Sequence, residues 1–110
     1  MRQKEIWYAN LSPTKGREQS GHRPVVIISG NMLNKYLDVV IACPLTSKIK
    51  NYKGNVVLKP SGSNGLDSES EILIFHIRSI SKNRLVKKIG SITETELSAV
   101  KLGLDDILRY

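Results

Sequence analysis

Residues 13–28 read PTKGREQSGHRPVVII. The first dozen hold two prolines, two glycines and five charged or titratable side chains, Lys15, Arg17, Glu18, His22 and Arg23, and lead straight into four β-formers. A polar connection of this length between two strand-like runs is a working loop or a disordered one. Pro24 biases Arg23 toward extended backbone, which sets the arginine at the mouth of a buried strand and favours the working loop. The stretch therefore reads as an active-site wall opening into a β-structure.

Outward from this loop the pattern remains β. Glu5 to Leu11, with Ile6, Trp7, Tyr8 and Leu11, reads as the first strand. Val25 to Ser29 and Val39 to Leu45 are continuous β-branched or apolar runs, short enough to be strands buried on both faces. Gly30 to Tyr36 between them is a turn or a single helical turn. Thr46 to Lys53 is a second polar loop carrying three lysines and Tyr52, and Asn55 to Lys59 is a short strand. The segment 60–70, PSGSNGLDSES, is rich in turn formers and is read as a surface connection without chemistry. Glu71 to Ile80 is expected to form one strand with a bend near His76, and Leu85 to Ile89 another short one. At the end the period changes: Thr93 and Glu96 make a capping box, and Leu97, Val100, Leu104, Ile107 and Leu108 fall on one helical stripe. Gly103 within that helix suits a close approach to a sheet or to a second copy of the chain.

These elements predict a single domain over residues 1–110, mainly β with a C-terminal helix, folded as a small, strongly bent barrel. A chain of this length buries roughly 65% of its unfolded surface, enough for one core. The single cysteine, Cys43, lies in an apolar run and reads as a small hydrophobe, which suits a reducing, cytoplasmic setting. No signal peptide is visible, and no apolar run approaches about 18 residues, so no membrane partner is expected.

The net charge of +7 is unevenly placed. Residues 15–59 carry eight bases against two acids, whereas seven bases meet seven acids from residue 60 onward. Charge alone leaves open a solvated basic surface or a phosphate-binding groove. With two histidines, one distant cysteine and no paired carboxylates, neither a metal site nor a cofactor is predicted. No glycine-rich loop opens a helix, and the six aromatics do not form a strand-borne stacking platform. Tyr36 and Tyr52, each beside lysines in a loop, are read either as base-stacking residues or as ordinary surface tyrosines.

The loop PTKGREQSGHRPVVII, the later ACPLTSKI, and IRSI before a terminal helix together resemble the MazF/PemK family of toxin endoribonucleases, from about Glu5 to the C-terminus. The resemblance implies an SH3-like barrel of the PemK/CcdB type that forms a homodimer and cuts single-stranded RNA at short sequences without a metal. It also implies a cognate antitoxin whose acidic, flexible tail occupies the RNA groove. The family's catalytic arginine and threonine map onto Arg23 and Thr46, and its loop glutamate and glutamine onto Glu18 and Gln19. Where many members carry a glutamine before the Ile-Arg pair, this chain has Phe75 and His76. That substitution leaves His76 either as an acid, base or base-reader, or as a strand histidine without a catalytic role.

Metal-free RNA cleavage needs removal of the 2′-hydroxyl proton, stabilisation of phosphoryl charge, and assistance to the departing 5′-oxygen. Arg23 fits the second need through its fork of permanent donors, and the Thr46 hydroxyl adds a hydrogen bond to the same oxygens. Glu18 and His76 are the candidates for moving protons. Duller roles exist: Arg23 pairing with Glu18 to pin the loop, and Thr46 closing a turn. Lys15, Arg17, Gln19, His22, Ser47, Lys48, Lys50, Tyr52 and Arg78 are the expected RNA contacts. A non-catalytic nucleic-acid-binding barrel, or a CcdB-like toxin acting on a topoisomerase through protein contact, would be the alternatives.

Overall fold

The computed structural model describes residues 1–12 and 21–110. Among these, seven strands and two α-helices follow one another as β1 (Glu5–Asn10), β2 (His22–Ile27), α1 (Asn31–Tyr36), β3 (Val39–Thr46), β4 (Val56–Leu58), β5 (Ser70–Ile72), β6 (Arg78–Ser81), β7 (Leu85–Ser91) and α2 (Glu94–Arg109). The mainly β architecture with a C-terminal helix is the one anticipated. Strands hydrogen-bond in the order β4-β5-β3-β2-β1-β7, with β6 joined to β3 beside that path. Among the described residues this path does not close, so the bent barrel is an open one.

Alternation along β2 explains its central place. Val25 and Ile27 enter one apolar cluster with Ala9, Val40, Ala42 and Ile80, while Val26 and Ile28 enter the other with Ile6, Cys43, Ile72 and Leu97. The strand is therefore buried on both faces, as its uninterrupted β-branched run predicts. Burial pushes the Cys43 thiol up to about 12, which keeps it a neutral packing group.

β3 is the branch point. On one edge it pairs with β2 through Val25↔Pro44 and Ile27↔Ala42. On the other, Val39 to Ala42 pair with β6, and Leu45 and Thr46 pair with Ile72 and Glu71 of β5. The single strand expected over Glu71 to Ile80 is thus two strands, separated by a 3₁₀ turn at Ile74–His76. Pro44 supplies the reason. It accepts from the Leu73 N–H at 2.9 Å but has no N–H to return, so the ladder stops there and the chain turns.

Helix α2 begins as its capping box dictates: the Glu96 N–H donates to Thr93 Oγ1 at 3.1 Å, and the Thr93 N–H donates to Glu96 Oε1 at 2.8 Å. Leu97, Val100 and Gly103 are buried and Leu104 packs against the core, but Ile107 and Leu108 are exposed, so the apolar stripe engages the core through Leu104 and not over its last turn. A Cβ on Gly103 would stand 2.4 Å from the Gly54 carbonyl oxygen and 2.7 Å from Ile74 Cδ1. The glycine's close approach is made to this chain's own 54–74 region, not to a second copy. Among the described residues no helix is long and apolar enough to cross a membrane.

Candidate RNA-cleavage groove

A groove of about 1080 Å³ opens where the ends of β2 and β3 meet the turn after β5. Arg23 lies in β2 opposite Ala9 of β1, because the strand begins at His22 and takes in the Arg-Pro pair. Its Nη1 donates to the Leu45 carbonyl at 3.3 Å, across the sheet and one residue before Thr46. Two side chains 23 positions apart in sequence are brought to one wall by the β2–β3 pairing. The Thr46 hydroxyl accepts the Lys48 N–H at 3.2 Å, the turn-closing role open to it, and a hydroxyl that accepts still has its own proton to donate.

His76 reaches the same groove from the 3₁₀ turn and is half-buried. Its ring lies 4.7 Å from Phe75, which in turn meets Tyr52 edge-on at 5.1 Å and 83°. Ser47, Lys48, Lys50 and Tyr52 line the groove from the second polar loop. His22 lines it too, exposed, with its ring 6.2 Å from Tyr8. Arg78 does not line it; it sits in β6 opposite Ala42. Tyr36 is exposed on α1, with the Lys35 ammonium 5.4 Å from its ring centre, and is absent from the groove lining. Lys15, Arg17, Glu18 and Gln19 lie outside the described residues. Among the described residues no group of three His, Cys, Asp or Glu side chains is placed to hold a metal ion.

Several lining residues were not anticipated. The 60–70 segment, read as a connection without chemistry, contributes Leu66, Asp67, Ser68 and Ser70 to the wall. Its Asn64 is buried and takes the N–H groups of Ser61 and Leu66 on Oδ1, which shapes the turn and explains the abundance of turn formers. Lys87 enters from β7, whereas its neighbour Lys88 is held away by Glu5 at 3.2 Å. Only strand alternation distinguishes these two lysines, and it does so only once the buried face is known.

The residue that sequence reading missed most completely is Glu71. It has no exposed surface, and its carboxylate accepts four hydrogen bonds. Oε1 takes the N–H groups of Lys50 at 2.8 Å and Asn51 at 3.2 Å; Oε2 takes the Tyr52 N–H at 2.9 Å and Asn55 Nδ2 at 3.1 Å. Burial by itself raises its pKa, but the hydrogen bonds from Lys50, Asn55, Tyr52 and Asn51 together outweigh burial and hold it below the ordinary value of 4.5. From residue 60 onward it is one of seven acids balanced by seven bases, and nothing local marks it.

The groove thus assembles a guanidinium, a hydroxyl, an imidazole and several ammonium groups along an aromatic edge. Residues 2–108 match the profile of the PemK-like, MazF-like toxins of type II toxin–antitoxin systems. Endoribonuclease MazF of Staphylococcus saprophyticus is 37% identical over 107 residues, covering 96% of this chain and 88% of that protein. The same enzyme from Staphylococcus epidermidis is 36% identical with the same coverage. The crystal structure of MazF from Deinococcus radiodurans superposes with a TM-score of 0.86 at 26% identity, over 100% of this chain and 97% of that one. On a profile match that spans nearly all 110 residues and relatives above one-third identity along the same length, the chain belongs to the PemK-like, MazF-like toxins of type II toxin–antitoxin systems.

Proposed function

We propose that this protein is the toxin endoribonuclease of a toxin–antitoxin pair and cleaves single-stranded RNA by attack of a 2′-hydroxyl on the adjacent phosphate. The observation that carries this reading is the meeting of Arg23, Thr46 and His76 on one groove bordered by Lys48, Lys50 and Lys87. In the step, the 2′-oxygen forms a bond to phosphorus, its proton passes to a base, the P–O5′ bond breaks, and the 5′-oxygen receives a proton. The products are a 2′,3′-cyclic phosphate and a 5′-hydroxyl.

Arg23 serves the phosphoryl oxygens. One of its N–H groups is directed to the Leu45 carbonyl, which orients the guanidinium, and the fork of donors matches two oxygens of the developing dianion. Thr46 supplies a further donor from the adjacent position. His76 is the proton-moving group within the described groove, and Glu18 is retained as the second candidate because the family resemblance maps the loop glutamate onto it. Lys48, Lys50, Ser47, Tyr52 and His22 hold the strand, with the aromatic edge of Tyr52 and Phe75 facing unpaired bases. Lys15, Arg17, Gln19 and Arg78 are assigned to RNA contact by the sequence alone. No step requires a metal.

The antitoxin, in this reading, covers the basic groove with an acidic, flexible tail, since a polyanionic peptide satisfies the same cations as RNA. The protein acts as a homodimer in the cytoplasm, where RNA and antitoxin are both met. The test is incubation of the protein with a short RNA and its 2′-deoxy counterpart in a chelator, with end-mapping of products. Cleavage of RNA alone, leaving cyclic phosphate and 5′-hydroxyl ends, is expected. Binding of both without cleavage would favour the non-catalytic barrel, and cleavage abolished by the chelator would remove the metal-free mechanism.

A further inference from the structure

Glu71 is a fully buried carboxylate whose four hydrogen-bond donors are all uncharged groups. Four is the full complement that a carboxylate's lone pairs accept, so it has no free site from which to serve as a base. Three of the donors are successive backbone N–H groups, at Lys50, Asn51 and Tyr52. Asn51 has φ 53°, a left-handed value that asparagine tolerates, and it turns consecutive amides toward one point, making a concave nest for an anion. Here the nest is filled from within the fold.

The location of this clamp ties it to the groove. Glu71 stands opposite Thr46 in the antiparallel β3–β5 register, so it lies beside the strand end that carries the hydroxyl, on the same face of the sheet. The loop it grips presents Lys48, Lys50 and Tyr52 to the groove. Its fourth donor, Asn55, uses its own Oδ1 to accept the Ile74 N–H at 3.1 Å, at the start of the turn that bears Phe75 and His76. A loop crowded with lysines is held by an anion placed on the side away from solvent.

We propose that Glu71 is a positioning residue: it orders residues 47–55 into the shape that binds RNA before RNA arrives, so that the ordering cost is met in folding and not in binding. The inference rests on the groove being the RNA site. It also has an opposing alternative of definite sign, because a buried negative charge behind the groove repels phosphate, and if that dominated, neutralising it would tighten RNA.

The experiment compares the parent with Glu71→Gln, which keeps the shape but replaces acceptor lone pairs with an NH₂ that meets N–H donors head-on. In the parent, the Lys50, Asn51 and Tyr52 amides are expected to exchange with solvent at least about tenfold more slowly than unprotected loop amides. In Glu71→Gln that protection falls, KM for a short RNA rises by about tenfold, and kcat stays within about threefold, the pattern of lost uniform binding. Asn55→Asp, which keeps the acceptor for Ile74 but sets a second carboxylate against Glu71, gives the same signature and decides the matter if Glu71→Gln does not fold. Ile72→Val, which thins the core under the same strand without touching the loop, lowers the melting temperature and leaves KM unchanged. Unprotected amides in the parent, a KM within about twofold or below the parent's in the Glu71 and Asn55 variants, or an equal KM rise in Ile72→Val would each overturn the proposal. A parent that cleaves no RNA would sink the functional reading instead, and the amide measurement would still report on the clamp.

Discussion

Arg23 and Glu71 show how differently two charged residues can serve one groove. Arg23 offers donors to a charge that exists only during reaction, and a lysine retains the charge but loses the two-pronged geometry. Arg23→Lys is expected to bind a 2′-deoxy RNA nearly as well as the parent while single-turnover cleavage falls ~10²-fold to 10³-fold, about 3 to 4 kcal/mol. Cleavage within about threefold of the parent would mean that the arginine merely pins β2 to the Leu45 carbonyl. Glu71 acts on the resting protein, and its signature is in pH. Its folded pKa lies below the ordinary 4.5, so its contribution to stability is fully present above that value and is lost as pH falls through the folded pKa. Urea denaturation across this acid window should show the parent losing stability more steeply than Glu71→Gln, which has no such carboxylate to protonate; parallel curves would mean that the clamp adds nothing.

At the scale of elements, α2 backs the loop that Glu71 holds from the other side. Helix propensity favours alanine over glycine by about 1 kcal/mol, and on that ground alone Gly103→Ala would stabilise the protein. The added Cβ, however, meets the Gly54 carbonyl at 2.4 Å and Ile74 Cδ1 at 2.7 Å, and overpacking of this kind costs about 1–3 kcal/mol. The close backbone contact wins, and Gly103→Ala should lower the urea midpoint by an amount equivalent to about 1 kcal/mol. A raised midpoint would show that the 54 turn yields easily. The break between β5 and β6 belongs to this scale as well. Glu71 to Ile80 has the composition of one strand, and it is Pro44, on a different strand, that ends the pairing and creates the turn carrying His76.

At the scale of the molecule, the basic groove makes a prediction about salt. Arg23, Lys48, Lys50 and Lys87 line it, and four cations releasing counterions from single-stranded RNA give a slope near about −3 in log K against log salt. A flat response would remove the electrostatic case for RNA while leaving the chemistry of Arg23 and Thr46 to be judged separately. The proposed homodimer should sediment near twice the chain's 12.3 kDa at micromolar concentration, and a species that remains at the chain mass would exclude it. By itself the sequence determined what is local: the apolar runs of β2 and β3, the Thr93–Glu96 cap, the extended Arg23 before Pro24, and the side chains of the Arg-Pro and Pro-Leu-Thr-Ser motifs. These depend on neighbours within a few positions, whose geometry the chain's own covalent limits and periodicity dictate. Only the tertiary structure decided that Lys87 faces the groove and Arg78 does not, that Leu66, Asp67, Ser68 and Ser70 form a wall, and that Glu71 grips a loop some twenty positions away. Each of those outcomes turns on which face is buried and which distant N–H meets which oxygen, and a carboxylate becomes worth burying only where the fold has already brought its four donors together.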